Sequence, residues 1–283
     1  MIARRLSNLR SVLSTVAETP TGLAGIALTT AFILIALTAP YIAHYPPTAV
    51  TGPPFSAPSA MHPLGTDDIG EDLLSQLIFS IRGSVEIALL AGLISTLVGV
   101  TIGLFAGYYG GLLDEVLMRF TDVVLAIPIL VLLLTVAAYI PPSRLEVIAL
   151  IGLLSWPWTA RVIRSQTISL RNRPFINSSL MSGLSDQEVM FKAILPNELP
   201  LVVLYGTLSA VTAMVLEASF DLVGVGNFNS PSLGIMLYFA FNNNALLRGS
   251  WWWFLPPGLV IGLFGTGLLL LGYNLERLNR TRL

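Results

Sequence analysis

Few residues in this 283-residue chain can do chemistry, and they fall into small groups. Cysteine is absent and there are two histidines, His44 and His62, which excludes disulfides, thiolate metal sites, cysteine nucleophiles and histidine-rich metal centres. The single lysine, Lys192, follows Val-Met-Phe rather than a glycine-rich turn, so the chain has no phosphate-binding P-loop. Asp67, Asp68 and Asp72 lie close enough in sequence to hold a hard cation such as calcium. Helix capping explains the same residues better, because Asp68 and Glu71 have capping-box spacing, and no metal site is assigned. Arg119 and Asp122, three apart, are expected to form a structural ion pair on one helical face. Glu217 and Asp221, four apart in an apolar run, are candidates for a translocation path, with a satisfied helix–helix contact as the plainer reading. Nothing pairs a nucleophile with a base, so no catalytic residue is assigned.

The elements that position these groups follow from composition. The chain is 54% hydrophobic and 11% charged, with a mean hydropathy of +0.77, whereas a soluble domain carries about 25% charge. This is an all-α membrane protein with six expected transmembrane helices, and no basic field suggests nucleic acid. Residues 1–21 form an N-terminal segment and 22–283 a single transmembrane domain. The first span is Gly22 to Ile42, too long for the apolar core of a cleaved signal peptide. A proline-rich stretch, His44 to Gly65, cannot be helical throughout. It belongs to an external segment, 45–84, in which a short amphipathic helix over Ile69 to Ile81 is expected to lie on the membrane surface.

The remaining spans are Ile87 to Leu113, Asp114 to Ile140, Leu145 to about Ile163, Leu199 to about Val223, and Trp251 to about Asn274. Gly99, Gly103 and Gly107 form a small-residue stripe for close approach of another helix in the same or another chain. Pro128 is expected to bend the third span and Pro141-Pro142 to end it. Trp156 and Trp158, and again Trp251 to Trp253, read as interfacial belts.

Between the fourth and fifth spans lies the longest polar interval of the C-terminal two-thirds, residues 165–200. A helical pattern from Pro174 breaks at Gly183, and a second, amphipathic one runs from Ser185 to Leu195, where Leu195-Pro196 is expected to end it. Such an element is a surface anchor or a docking surface. With both termini inside, the inner segments hold Arg4, Arg5, Arg10, Arg161, Arg164, Arg171, Arg173, Lys192, Arg277, Arg280 and Arg282, against Arg82, Arg144 and Arg248 outside. The positive-inside rule therefore puts both termini and the 165–200 loop in the cytoplasm.

Three motifs carry a family likeness covering nearly the whole chain from about Tyr45. They are His62-Pro63-Leu64-Gly65-Thr66-Asp67-Asp68-Ile69-Gly70 with Asp72; Ala106-Gly107-Tyr108-Tyr109-Gly110-Gly111 with Asp114, Met118-Arg119 and Asp122; and the loop, with Ser169-Leu170-Arg171, Gly183, Ser185-Asp186 and Ile194-Leu195-Pro196-Asn197. Glu217-Ala218-Ser219 and Gly224-Val225-Gly226 follow. The chain resembles the inner-membrane permease subunit of an ABC importer of the dipeptide, oligopeptide or nickel type. The resemblance implies a type I importer bundle in the cytoplasmic membrane. It implies a second homologous permease, two ATP-binding subunits and an external binding protein as partners, with ATP and magnesium on the partner subunits and no cofactor here.

The resemblance also implies that the loop couples to the ATPase through Asn177, Ser178, Ser179, Gly183, Leu184, Ser185, Asp186, Phe191, Ile194, Leu195 and Pro196. Gly183 stands as the turn glycine. Asn177-Ser178-Ser179 replaces the family's Glu-Ala-Ala, and Glu71 stands where the family has arginine, implying a divergent branch with weakened or asymmetric coupling. Peptides are the expected cargo, with oligosaccharides or nickel as alternatives. A structural membrane protein with a lipid-anchoring loop is the alternative of another class, and it fits less well because the loop is not basic.

Overall fold

The computed structural model describes residues 19–139 and 143–280, with side chains through 277. Arg4, Arg5, Arg10, Arg282 and the expected third-span terminus at Ile140 to Pro142 lie outside the described residues, as do the side chain of Arg280 and most of the N-terminal segment. Helix dominates, and among the described residues extended pairing is limited to two isolated bridges, Val50–Glu71 and Thr66–Asp72.

Helix α1, Pro20–Ile42, starts where a helix is easiest to start. Thr19 accepts the Gly22 N–H at 3.1 Å, and proline occupies the first helical position, where its missing N–H costs nothing. The proline-rich stretch then runs without helix to α2, Leu73–Tyr109. This 37-residue helix is the central post of the molecule, packed along its length by the later helices. At about 1.5 Å per residue it is longer than the hydrocarbon thickness of a bilayer.

Helix α2 overturns two expectations. No separate surface helix covers Ile69 to Ile81, and Asp68 with Glu71 forms no capping box. The Asp67 carboxylate accepts the N–H groups of Ile69, Gly70 and Glu71 at 3.0, 2.9 and 2.8 Å, locking these residues in a turn. The helix therefore begins after them, capped by Asp72, which accepts the Ser75 N–H at 2.8 Å. It then continues through Gly83, whose missing side chain admits the Pro231 carbonyl.

Gly110 and Gly111, both with positive φ, turn the chain into α3, Gly111–Ala126, and α4, Ile129–Ala137. These two meet at 77° across Ile127-Pro128. Ile127 is extended, as a residue before proline prefers, so the expected bend is a full break. Helices α5, Arg144–Leu154, and α6, Pro157–Arg171, carry the next span well beyond Ile163. Trp156 at their junction is buried and stacked on Phe120 at 5.8 Å, so only Trp158 of that pair is exposed.

After α7, Pro174–Met181, the chain turns and enters α8, Asp186–Leu222. Pro196 does not end this helix. Its first part, Val189–Ile194, is π-helical, with the Leu195 N–H bonded to the Met190 carbonyl, and this wider turn absorbs the donor that proline lacks. Helix α9, Leu233–Asn242, is a short apolar element between α8 and the last helix. Helix α10, Trp251–Arg280, closes the fold. Its Trp253 is buried in the core beside Phe55, so the tryptophan triplet is not an interfacial belt throughout.

Among the described residues, five helical stretches are long and apolar enough to cross a membrane, and α3 with α4 makes a sixth if the broken pair is one span. Three apolar clusters stack along α2. One joins Phe32, Leu73, Met214, Trp253 and Phe264; one joins Ile87, Leu133, Ile151 and Phe220; and one joins Leu104, Ile163, Met190 and Ile194. The third cluster supports the 165–200 loop, and that end of the bundle is here the loop end.

Candidate functional site

The loop folds as a two-helix hairpin held from within. Gly183, at φ +84°, makes the turn between α7 and α8. A true capping box follows: Ser185 accepts the Glu188 N–H at 3.4 Å, and Glu188 accepts the Ser185 N–H at 3.1 Å. Lys192 pairs with Glu188 at 2.6 Å, one turn on. Ile176, Val189, Met190 and Ile194 bury themselves against Leu104, Tyr108 and Ile163. The Tyr108 hydroxyl donates to Asp186 at 2.8 Å and ties the start of α8 to the end of α2.

This arrangement sorts the expected coupling residues. Asn177, Ser178, Gly183, Ser185, Asp186, Phe191 and Pro196 are exposed, and Ser179, Leu184 and Leu195 are half-buried. Ile194 is fully buried and braces the hairpin, so it presents nothing outward. Its place in the π-helical turn points it at the bundle. In compensation, the hairpin shows apolar residues singled out less clearly by the sequence: Phe175, Leu180 and above all Met181, 91% exposed. The Ser178 and Ser179 hydroxyls donate back to the Pro174 and Phe175 carbonyls and so are spent within α7.

At the root of the hairpin, Glu198 is buried and accepts a 2.7 Å hydrogen bond from Thr167. It lies within the 165–200 polar interval. Nothing local signals its burial, because the partner comes from α6.

The ion pairs of the loop end differ from the expected one. Arg119 and Asp122 do not pair. Side chains on a helix lean toward its N-terminus, so Arg119 reaches back to Glu115 at 3.8 Å. Asp122 is instead met at 2.6 Å by Arg161 of α6. Arg164 of α6 pairs with Asp114 in the same way. The helix they come from is the one that fills the glycine stripe. A Cβ at Gly99 would lie 2.7 Å from the Thr159 side chain, one at Gly103 2.5 Å from the Ala160 carbonyl, and one at Gly107 2.7 Å from the Arg164 carbonyl. The packing face thus serves α6 of the same chain.

At the other end, Glu217 and Asp221 do come together on α8, but both are buried, Glu217 completely. Ser84 of α2 donates to Glu217 at 3.1 Å and accepts the Leu233 N–H at 3.0 Å, and the Ser232 hydroxyl donates to Asp221. The pair holds α2, α8 and the approach to α9 together, and with Arg144, Asn227 and Ser230 it also borders a small cavity.

The acidic group near α2 is likewise internally satisfied. Asp72 accepts from Ser75 and contacts His62 Nδ1 at 2.9 Å, and Gln76 donates to Asp67 and Glu71 at 2.7 and 2.6 Å. Among the described residues no three His, Cys, Asp or Glu side chains converge as metal ligands. Burial raises the carboxyls of Asp68 and Glu71 above their usual range, and the adjacent Asp67 charge raises them further.

Residues 99–281 match the family described as binding-protein-dependent transport system inner membrane component. The chain belongs to this family. As a member of the binding-protein-dependent transport family it is a multi-pass permease of the cytoplasmic membrane. The chemistry of ATP hydrolysis belongs to separate subunits, in keeping with the missing P-loop.

Among its relatives is the dipeptide transport system permease protein DppC of Haemophilus influenzae, 34% identical over 236 residues, covering 81% of this chain and 79% of the relative. Another is the oligopeptide transport system permease protein OppC of Lactococcus lactis, 32% identical over 218 residues and covering 76% and 74%. A third is the dipeptide transport system permease protein DppC of Alkalihalophilus pseudofirmus, 31% identical over 254 residues and covering 89% and 81%.

Proposed function

We propose that this chain is the permease subunit of an ATP-driven importer of peptides. It works with a second homologous permease, a pair of ATP-binding subunits and an external binding protein, with both termini and the 165–200 hairpin in the cytoplasm. The observation that carries the peptide assignment is the similarity to dipeptide and oligopeptide permeases over three quarters or more of this chain. The excess of arginine in the segments at the loop end supports the orientation. The hairpin supports the coupling role: braced from within and carrying exposed Phe175, Leu180, Met181 and Phe191, it can pass the motion of an attached ATPase to α8 and α6 as a rigid-body displacement.

The test is uptake. The full assembly, reconstituted in vesicles with its binding protein, should accumulate labelled di- and oligopeptides only when ATP is supplied. Accumulation of a labelled oligosaccharide or of nickel, with peptides inert, would overturn the cargo assignment.

A further inference from the structure

The hairpin leaves one polar cavity open beside its apolar face. It measures about 380 Å3 and lies between α7 and the ends of α2 and α6, bounded by Tyr108, Arg171, Asn172, Asn177, Leu180 and Asp186. The charges around it close on themselves with three exceptions, Arg171, Arg173 and Asp186. Lys192 is paired with Glu188, Arg161 with Asp122 and Arg164 with Asp114. Glu198 is buried, while Asp186 accepts the Tyr108 hydroxyl and keeps its carboxylate charge, leaving, among the described residues, one unpaired acid against two unpaired arginines. Arg171 and Arg173 are both exposed, and among the described residues neither has an ion-pair partner. The Arg171 guanidinium lies 5.8 Å from the Tyr108 ring centroid, which sets it at the cavity wall. The neighbouring Ser178 and Ser179 hydroxyls donate to carbonyls of α7 itself, so their donors are not available to an incoming acid and Arg171 is the charged donor on this wall.

We infer that this cavity receives an acidic side chain of the ATPase subunit, with Arg171 as its partner. The inference rests on the reading that the hairpin docks an ATPase. A guanidinium presents a planar fork of donors that matches a carboxylate. Phe175, Leu180, Met181 and Phe191, exposed beside the cavity, would be covered on docking, and exclusion of water and salt would strengthen the pair. A basic side chain entering the same cavity would meet an unpaired guanidinium. Asn177 fits the arrangement as a neutral amide that an incoming acid tolerates.

The experiment measures retention of the ATPase on the tagged full chain in detergent, across a salt series. The variants are Arg171→Glu, Arg171→Lys and Asn177→Glu, with the thermal midpoint of each permease checked alone. We expect Arg171→Glu and Asn177→Glu each to weaken retention about tenfold or more, as loss or repulsion of an interfacial charge does, with Arg171→Lys intermediate. Wild-type retention in both glutamate variants would overturn the site, and tighter retention in Asn177→Glu would overturn its sign. An unaltered chain that retains no ATPase under conditions preserving a known importer would instead remove the docking reading itself.

Discussion

At the scale of single residues, the paired acids Glu217 and Asp221 are held by identifiable serine donors. Glu217 depends on Ser84, whose hydroxyl also takes the Leu233 N–H. Replacing Ser84 with alanine leaves the Leu233 N–H without this acceptor and takes a donor from Glu217, and an unsatisfied buried polar group costs about 1–3 kcal/mol. The thermal midpoint in detergent should fall accordingly. Glu217→Gln with Asp221→Asn should leave peptide preference unchanged, because the pair is enclosed by the protein. A shifted preference among peptides of different charge would return the two acids to the translocation path.

Asp68 and Glu71 give a pH dependence of known sign. Their folded-state carboxyl pKa values are raised, first by burial and then by Asp67. Their contribution is therefore fully present below the unfolded-state pKa and is lost as pH rises through the folded value. The stability of Asp68→Asn, Glu71→Gln relative to wild type, followed by thermal midpoint, should be highest near neutrality and shrink as pH falls toward 4, about where model carboxyls titrate. A difference that grows on acidification would contradict the assigned cause.

At the scale of elements, the molecule depends on close contact between α2 and α6. Gly103→Val would drive a Cβ into the Ala160 carbonyl, and the damage should appear as failure to yield a monodisperse protein. Gly183→Val is the contrasting case. A Cβ there meets no atom within 4 Å, so the penalty lies in the backbone conformation at φ +84°, about 1–2 kcal/mol for a residue with a side chain. Insertion and yield should survive while ATP-driven uptake is lost; unchanged uptake would deny the hairpin its coupling role.

The same contrast shows what was legible in the sequence. The turn at Gly183 and the bend at Pro128 are local, written in residues with few permitted conformations, and both are found. The start of α2 was not legible, because a single oxygen of Asp67 fixes three following N–H groups, an outcome that periodicity does not encode. The partner of Asp122 was not legible either, because Arg161 arrives from another helix. Nor was the passage of α8 through Pro196, which requires a π-helical turn sustained by the packing of Ile194.

At the scale of the whole molecule, the bundle joins a fixed frame to an attached lever. Thr19 and Thr21 donate to Asn274 at 3.0 and 3.3 Å, clasping the start of α1 to the end of α10. On α8 the clasp at one end is the acid pair, while the hairpin occupies the other. Force applied to the hairpin can reach the opposite end along one continuous helix, because the buried residues beneath it leave little room to yield. The outer face of the hairpin, by contrast, adds nothing to the fold of this chain: Met181 is 91% and Phe191 51% exposed. Met181→Asp with Phe191→Asp should therefore keep the unfolding free energy of the isolated permease within about 0.5 kcal/mol of wild type, as surface changes do. The same variant should lose co-purification of the ATPase while retaining the second permease. Loss of the second permease together with the ATPase would mean that the hairpin face organises the membrane subunits as well. Retention of both would detach the hairpin from docking altogether.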